Sequence, residues 1–317
     1  MQRCATGRPY SASRRRLAAA LAAAVLVLAA GCGTSGARGA AGPEAGAPVL
    51  SIGAIPDQNP QQLQRRYGAV SSYLSEQLGV PVRYEPVTDY TASVTAFRRG
   101  DLDAVFFGGL TGVQARNQVP GSVTLAQRDI DEAFRSVFIA NTAAGIEPID
   151  DVAGLAALAG ARMTFGSQVS TSGRLMPQFF LDQAGVTAAA LAGPPGFSGS
   201  HDATIKLVEA GTYQVGALNA AVWDERIAAG EVDTTRVVEI FRTPPYHDYH
   251  WLARPDIDER FGAGFTGRLR DTLIGIDGSD QREREILELF SAGAFIPTEP
   301  ANYGDIESVA RKLGLIQ

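Results

Sequence analysis

Cysteine is almost absent from this chain of 317 residues. Cys4 and Cys32 are the only two, and both lie near the N-terminus, so disulfide bonds do not form the framework of the main body. The chain has only three histidines and no Gly-rich nucleotide loop. The segment Gly196-Phe197-Ser198-Gly199-Ser200 lacks the final glycine of a nucleophile elbow. These absences disfavour thiol, serine-triad and nucleotide-dependent catalysis.

Basic runs are also scarce outside the N-terminal 31 residues. Without the five arginines of that segment the chain has 23 basic and 34 acidic residues, a net charge of −11. No basic run longer than two residues remains, and Arg65-Arg66 and Arg98-Arg99 are examples, which disfavours nucleic acid as a partner. An acidic body can still bind an anion, because local N–H groups set the field inside a cleft.

The first 31 residues have the pattern of a targeting segment. Arg14-Arg15-Arg16 precedes an apolar stretch over residues 17–30 that is too short for a membrane span, and small residues precede Cys32. This resembles a bacterial lipoprotein signal in which Cys32 becomes the lipidated first residue, although Leu28 is one position early. A plain secretory signal is the alternative. We expect a signal peptide over 1–31, a flexible Gly/Ala-rich tether over 32–48, and an extracytoplasmic protein held at the membrane by its lipid.

Strand and helix patterns alternate from residue 49 onward. The predicted strands cover 49–53, 82–84, 103–107, 123–126, 136–141, 163–165, 213–218 and 237–241. The predicted helices cover 63–78, 90–99 with Thr91 as its cap, 113–118, 152–158, 173–184, 203–210, 221–229, 283–290 and 305–313. This alternation predicts an α/β protein with mostly parallel sheets, in which ligands bind at the carboxyl ends of strands. Residues 56–60, 88–90 and 107–111 would lie on one such rim.

The simplest arrangement of these elements has two βα lobes. The first lobe would contain residues 49–138 and 247–317, and the second would be the inserted segment 139–246. Two extended crossovers, near 136–141 and 238–245, would form a two-strand hinge. Lobes joined in this way can close on a ligand by bending at the hinge.

The motif Ser170-Thr171-Ser172-Gly173 lies where a strand leads into a helix. The first N–H groups of a helix lack internal partners and carry partial positive charge, and a glycine permits close approach. Together with three hydroxyl groups, they would form a seat for a small tetrahedral oxyanion. The alternative is an ordinary helix N-cap, because serine and threonine are preferred there anyway.

Four further positions have the same two interpretations. Tyr90 would offer a hydroxyl to the anion or pack in the core, and the Gly108-Gly109 pair would expose N–H groups or form a turn. His201 would present an N–H, or a positive charge when protonated, or be a satisfied structural group. Asn219 would bond the ligand or cap the next helix.

The segment Tyr246-His247-Asp248-Tyr249-His250 is the densest polar and aromatic cluster. Tyr246 and Asp248 would form part of the cleft wall and hinge. His247, Asp248 and His250 would be the ligands if the protein were instead a metal-assisted enzyme on the same fold. Their spacing matches no strong zinc pattern, so we predict no metal and no other cofactor.

Taken together, these motifs resemble the phosphonate/phosphite-type periplasmic binding proteins of ABC importers. The similarity runs from about Leu50 to the C-terminus, and its most specific part is Ser170-Thr171-Ser172-Gly173 followed by Ser198-Gly199-Ser200-His201-Asp202. It implies a type II periplasmic binding-protein fold, a membrane permease as partner, and binding without catalysis by what we expect to be a monomer. It also implies that Ser170, Thr171 and Ser172 hold the anion with help from Tyr90 and His201.

Two departures from the family pattern concern the ligand. Gly108-Gly109-Leu110 replaces the usual Gly-Pro followed by Tyr, and Pro245-Tyr246-His247 replaces a Pro-Ile-Pro hinge. This variant resembles a subgroup associated with selenate uptake, so a small inorganic oxyanion such as selenate is as good a candidate as a phosphonate. A buried Asp248 would accept a hydrogen bond from a ligand O–H and repel a fully ionised ligand.

Overall fold

The computed structural model describes Gly46 and residues 48–317. The predicted signal peptide, Cys32 and all of the tether except Gly46 and Pro48 lie outside these residues. In the part that is described, no helix combines the length and the apolar character that crossing a bilayer requires.

The described part of the chain contains eleven strands and ten α-helices. The strands are β1 Leu50–Ala54, β2 Val82–Tyr84, β3 Ala104–Phe107, β4 Val123–Arg128, β5 Ser136–Asn141, β6 Met163–Phe165, β7 Gly196–Phe197, β8 Val215–Asn219, β9 Val237–Arg242, β10 His250–Ala253 and β11 Phe295–Ile296. The helices are α1 Pro60–Leu78, α2 Tyr90–Arg99, α3 Gly109–Gln118, α4 Met176–Gln183, α5 His201–Glu209, α6 Ala220–Ala228, α7 Ile257–Phe261, α8 Phe265–Ile274, α9 Gln281–Leu289 and α10 Gly304–Lys312.

The strands form two separate sheets. The first has the order β11-β4-β10-β3-β1-β2, and the second has the order β7-β6-β8-β5-β9. We call the structure around these sheets the first lobe and the second lobe. The chain leaves the first lobe between β4 and β5 and returns between β9 and β10, so two connections join the lobes. The predicted α/β class is therefore confirmed.

The sheets are more mixed than the alternating pattern predicted. Strand β10 was missed: it lies between β3 and β4 and is antiparallel to both. It enters the first sheet from the second lobe, so its direction follows from the return of the chain and not from a local helical crossover. Strand β5 is likewise antiparallel to both β8 and β9. The prediction of mostly parallel sheets was wrong for these strands.

Several helix starts also differ from the prediction. Asp89, not Thr91, caps α2 by accepting a hydrogen bond from the N–H of Ala92. Helices α3 and α5 begin earlier, at Gly109 and His201, than the apolar stripes indicated. The predicted helix over 173–184 is divided into a π-helical turn, Thr171–Leu175, and α4. Apolar periodicity identifies the buried face of a helix, but its first turn is set by capping contacts.

Candidate ligand-binding site

Five helical N-termini meet between the two lobes. The first lobe contributes the starts of α2 and α3, and the second contributes the π-helical turn, α5 and α6. The lobes touch here, because the Leu110 N–H donates to Thr171 Oγ1 over 3.0 Å and the His201 N–H donates to the Asp57 carbonyl over 2.9 Å. Helical N-termini concentrate unpaired N–H groups and partial positive charge. The arrangement suits an anion without any lysine or arginine in contact with it.

The site is closed to solvent. Each of the predicted polar side chains is at most 8% exposed; they are Tyr90, Ser170, Thr171, Ser172, His201, Asn219, Tyr246 and Asp248. Gly108 and Gly109 are buried with them. A ligand held here would lose its hydration shell, so the surrounding groups would have to replace the hydrogen bonds of water.

The three hydroxyl groups of the serine-threonine motif have different roles. Ser170 caps the π-helical turn, since its Oγ accepts from the Gly173 N–H over 2.9 Å. Thr171 forms the bond to the first lobe described above. Ser172 Oγ is buried and has no hydrogen-bond partner. The capping interpretation is therefore correct for Ser170, while Ser172 retains a hydroxyl that is available to a ligand.

Asp248 lies on the segment that returns to the first lobe, just before β10. Its Oδ1 accepts from the Gly109 N–H over 2.8 Å, while its Oδ2 is buried without a partner. A side chain at Gly108 would bring its Cβ within 3.3 Å of both Asp248 Oδ1 and Thr171 Oγ1, so glycine allows this close approach. Burial raises the pKa of Asp248 to about 7, although the Gly109 N–H opposes the shift.

Tyr90 places an unsatisfied hydroxyl in the same region. The side chain is fully buried, and its Oη has no hydrogen bond of good geometry, although Ser170 lies nearby. Burial, followed by the negative charge of Asp57, raises the pKa of Tyr90 well above its ordinary value. Tyr90 therefore remains a neutral hydrogen-bond donor.

His201 is part of a buried chain of hydrogen bonds. Its Nδ1 accepts from the Asn219 N–H over 3.4 Å, and its Nε2 lies 3.4 Å from the Tyr249 hydroxyl. Asn219 caps α6 through its Oδ1 and donates from Nδ2 to Tyr249, whose hydroxyl donates to Asp57 Oδ2 over 2.8 Å. Burial lowers the pKa of His201, so the imidazole is neutral at pH 7 and does not supply the positive charge considered above.

Tyr246 supports the motif from behind. Its hydroxyl lies 2.6 Å from Ser136 Oγ, which in turn donates to the Ser172 carbonyl over 2.8 Å. The tyrosine hydroxyl is thus already engaged. Its contribution is to position the backbone of the π-helical turn through Ser136.

Asp57 and Tyr249 were missed by the sequence analysis, although signals for both existed. Asp57 lies in the 56–60 loop that was expected on the rim, and Tyr249 lies within the dense aromatic cluster. Asp131 fixes that cluster: its carbonyl accepts from the Asp248 N–H, and its carboxylate forms a buried pair with Arg128. The Arg128 guanidinium lies 4.8 Å from the centre of the Tyr249 ring. Only the packed structure reveals this support.

The metal-assisted alternative lacks a ligand set in the described residues. His250 packs its ring 4.0 Å from that of Tyr303, and burial lowers its pKa to about 3. His247 lies half-buried near the same tyrosine, while Asp248 turns into the cleft. Across residues 48–317, no group of three histidine, cysteine or acidic side chains is arranged to hold a metal.

Two α/β lobes with two connections and an enclosed polar site between them define a solute-binding protein of the periplasmic type. The model of the family described as ABC transporter, phosphonate, periplasmic substrate-binding protein matches residues 52–303. The chain belongs to this family, whose members act outside the cytoplasm as the receptors of ABC transporters.

Individual relatives agree with this assignment. The chain is 48% identical over 270 residues to the probable ABC transporter phosphite binding protein PhnD1 of Prochlorococcus marinus (strain MIT 9301), covering 85% of this chain and 91% of that protein. The structure of PhnD1 from this organism in complex with methylphosphonate matches with a TM-score of 0.83, covering 84% and 99% of the two chains. The phosphate-import protein PhnD of Mycolicibacterium smegmatis is 25% identical over 236 residues, covering 71% and 72%. The predicted family and type II fold are confirmed.

Proposed function

We propose that this protein captures a small phosphorus oxyanion, of the phosphite or methylphosphonate class, and delivers it to an ABC permease. The observation that carries the proposal is the set of unpartnered polar atoms in the closed site. Tyr90 Oη, Ser172 Oγ and Asp248 Oδ2 are all buried without hydrogen bonds. Buried polar groups without partners are costly, so the site is complementary to a small polar ligand.

The proposed ligand contacts have three sources. The first is the backbone N–H groups at the start of the π-helical turn, which faces Gly108 and Gly109 through the bond between Thr171 and Leu110. The second is the hydroxyl groups of Tyr90, Thr171 and Ser172, with Ser170 setting the start of the turn. The third is His201, held neutral by burial beside Asn219, and the carboxylate of Asp248, with Tyr246 supporting from behind. The ligand class follows that of PhnD1, the relative at 48% identity whose structure holds methylphosphonate.

The direct test is ligand-dependent stability. A ligand that binds only the folded state raises its melting temperature in proportion to the logarithm of the ligand-to-Kd ratio. Thermal unfolding should be measured with phosphite, methylphosphonate, phosphate, sulfate, selenate and selenite, followed by calorimetric titration of those that shift it. We expect phosphite or methylphosphonate to give the largest shift, and a flat response to the whole panel would contradict the proposal.

The role of receptor also implies binding without turnover. Phosphite or methylphosphonate recovered after long incubation with the protein should be chemically unchanged, as phosphorus NMR of the released ligand would show. Stoichiometric conversion to phosphate would favour an enzyme instead. We further propose that the protein is a monomer in solution, since one chain contributes every group of the site.

Attachment to the membrane is the second part of the proposal. A lipid on Cys32 would hold the receptor beside its permease through the tether over 32–48. Replacing the residue, Cys32→Ala, in the full-length protein should move it from the membrane fraction to the soluble extracytoplasmic fraction. A C4A variant is the matched control, and equal membrane retention in both variants would contradict the lipid anchor.

A further inference from the structure

Two of the unpartnered buried atoms are carboxylate oxygens, which can accept but not donate a hydrogen bond while they are ionised. One is Asp248 Oδ2, and the other is Asp57 Oδ1. Asp57 is 3% exposed and follows the carboxyl end of β1, on the rim where the site lies. A buried carboxylate oxygen without a donor is strongly unfavourable, so a donor is missing from the surroundings of both residues.

Asp57 is surrounded by groups of the site. Its carbonyl accepts the His201 N–H, its Oδ2 accepts the Tyr249 hydroxyl, and its charge acts on both Tyr90 and His201. Arg66 of α1, Arg128 of β4 and Glu225 of α6 line a small cavity together with it, and its charge also acts on the buried Tyr67 of α1 and on Tyr84 of β2. Arg128 is already paired with Asp131, and Arg66 donates to the Leu289 carbonyl. None of these groups donates to Asp57 Oδ1.

We propose that Asp57 is a further ligand-recognition residue, whose Oδ1 accepts a hydrogen bond from a protonated oxygen of the bound oxyanion. This inference rests on the proposed function and deepens it. The receptor then takes an oxyanion that carries an O–H group and disfavours fully ionised tetrahedral anions such as sulfate and selenate. The selectivity arises because the Asp57 carboxylate attracts a ligand O–H group and repels an ionised ligand oxygen at the same place.

The unsatisfied atoms require different hydrogen-bond partners. Tyr90 and Ser172 can donate to unprotonated ligand oxygens, whereas Asp57 and Asp248 can only accept while they are ionised. A ligand without a proton would set its oxygens against two buried carboxylates, and the repulsion is strong where water is excluded. A ligand O–H at Asp57 removes one of these conflicts. The elevated pKa of Asp248 allows that side chain to retain a proton of its own and remove the other.

Proton uptake on binding is the sharpest readout of this arrangement. At about pH 8 free phosphite is mostly the dianion, so a complex in which a ligand oxygen presents a hydrogen to Asp57 must take a proton from the buffer. Titration calorimetry of the wild-type protein with phosphite, in two buffers of different ionisation enthalpy, measures this number. We expect an uptake of about one proton at Asp57 in addition to any share taken by Asp248.

Two variants assign the proton. In Asp57→Asn the amide can donate to an ionised oxygen, so uptake should fall by about one and the preference for phosphite over sulfate should narrow by about tenfold or more. In Asp248→Asn uptake at Asp57 should remain. Unchanged uptake in D57N, or complete loss of uptake in D248N, would overturn the proposal. The D248N measurement stands even if D57N does not fold.

Two controls separate recognition from support. Tyr249→Phe removes the hydroxyl that bonds Asp57 Oδ2, and proton uptake should persist in this variant if Oδ1 holds the ligand hydrogen. Asp101→Asn makes the same charge change at an exposed position before β3, away from the site, and should match the wild type. If the wild-type protein binds none of phosphite, methylphosphonate and phosphate, the proposed function itself fails. If phosphite binds but D57N changes neither uptake nor selectivity, only the present inference fails.

Discussion

Tyr90 combines a well-packed ring with a hydroxyl group that lacks a hydrogen-bond partner. Its ring is buried against the first lobe, but its hydroxyl has no hydrogen bond. An unpaired buried hydroxyl costs stability in the free protein and is available to a ligand. This is the expected behaviour of a group placed for binding and not for folding.

The first prediction concerns this hydroxyl. In Tyr90→Phe the melting temperature of the free protein should be equal or slightly higher, because a polar group without a partner has been removed. Affinity for phosphite should fall by about tenfold or more, the loss typical of a hydrogen bond to a charged partner. Thermal unfolding and calorimetric titration check both parts. Tyr84→Phe, on a ring that stacks against Tyr67, is the control and should retain the affinity.

Asp248 leads to a prediction about pH. Burial raises its folded-state pKa from 3.8 to about 7, so between these values the folded protein binds a proton that the unfolded chain has released. Folded-state stability is then lost as pH rises through this window. In Asp248→Asn, which cannot titrate, the free protein should gain melting temperature relative to the wild type at about pH 8 but much less at about pH 4.

Comparison of the wild type with D248N at each pH cancels the contributions of the other titrating groups. His250, whose pKa is lowered to about 3, changes stability in the opposite direction, but it does so equally in wild type and variant. If the difference in melting temperature between wild type and D248N does not vary with pH, the raised pKa of Asp248 is contradicted.

At the scale of elements, α3 and β10 approach each other closely at Gly112. A Cβ added at Gly112 would lie 2.2 Å from Cε1 of His250. Both elements also build the site, because α3 begins at Gly109 and β10 follows Asp248. Their packing therefore fixes the distance between the Gly109 N–H and the carboxylate that it binds.

The corresponding prediction is a rescue experiment. Gly112→Ala should destabilise the protein by about 1–3 kcal/mol, as overpacking of a dense core commonly does, and should also weaken phosphite binding. In a protein that already carries His250→Ala, the further change Gly112→Ala should cost much less stability than it does in the wild type, because the clashing ring has been removed. Chemical denaturation of the four proteins forms a double-mutant cycle. If the two substitutions change the free energy of unfolding additively, the close approach of Gly112 and His250 does not limit the packing.

At the scale of the whole molecule, ligand exchange requires the two lobes to separate. The candidate binding residues are almost completely buried, and polar contacts join the two lobes next to Asp57 and His201. Arg226 of the second lobe bonds Asp202 beside it and reaches Gln58 and Gln62 of the first lobe. The Asn59 N–H also donates to Asp202 over 2.7 Å. The contacts of Arg226 with Gln58 and Gln62, and of Asp202 with Asn59, join the two lobes and would be lost if the lobes separated.

Removal of the Arg226 contacts between the lobes should mainly change the rate of ligand release. In Arg226→Gln the closed state loses interactions that the open state lacks, so we expect the dissociation rate of phosphite to rise by about threefold to tenfold with little change in association. Stopped-flow measurement of both rates checks the prediction. Arg162→Gln is the control, because Arg162 donates to the Gly211 carbonyl inside the second lobe. Equal effects in both variants would contradict a role in closure.

Local sequence patterns were sufficient to predict much of the secondary structure of this protein. The alternating patterns located eight of the strands within a few residues, because apolar periodicity and turn residues act over short distances. The serine-threonine motif, the glycine pair and His201 were identified because helix N-termini have recognisable residue preferences. Resemblance of these motifs in their order along the chain also indicated the family.

Long-range packing decided the rest. Strand β10 and its antiparallel direction depend on where the chain re-enters the first lobe, which no local pattern records. The neutral state of His201 and the raised pKa of Asp248 depend on burial by segments far away in sequence. The unpartnered oxygen of Asp57 is visible only once every neighbouring donor has been placed. Which groups remain free for a ligand is a property of the assembled lobes, because hydrogen-bond satisfaction is settled by three-dimensional neighbours.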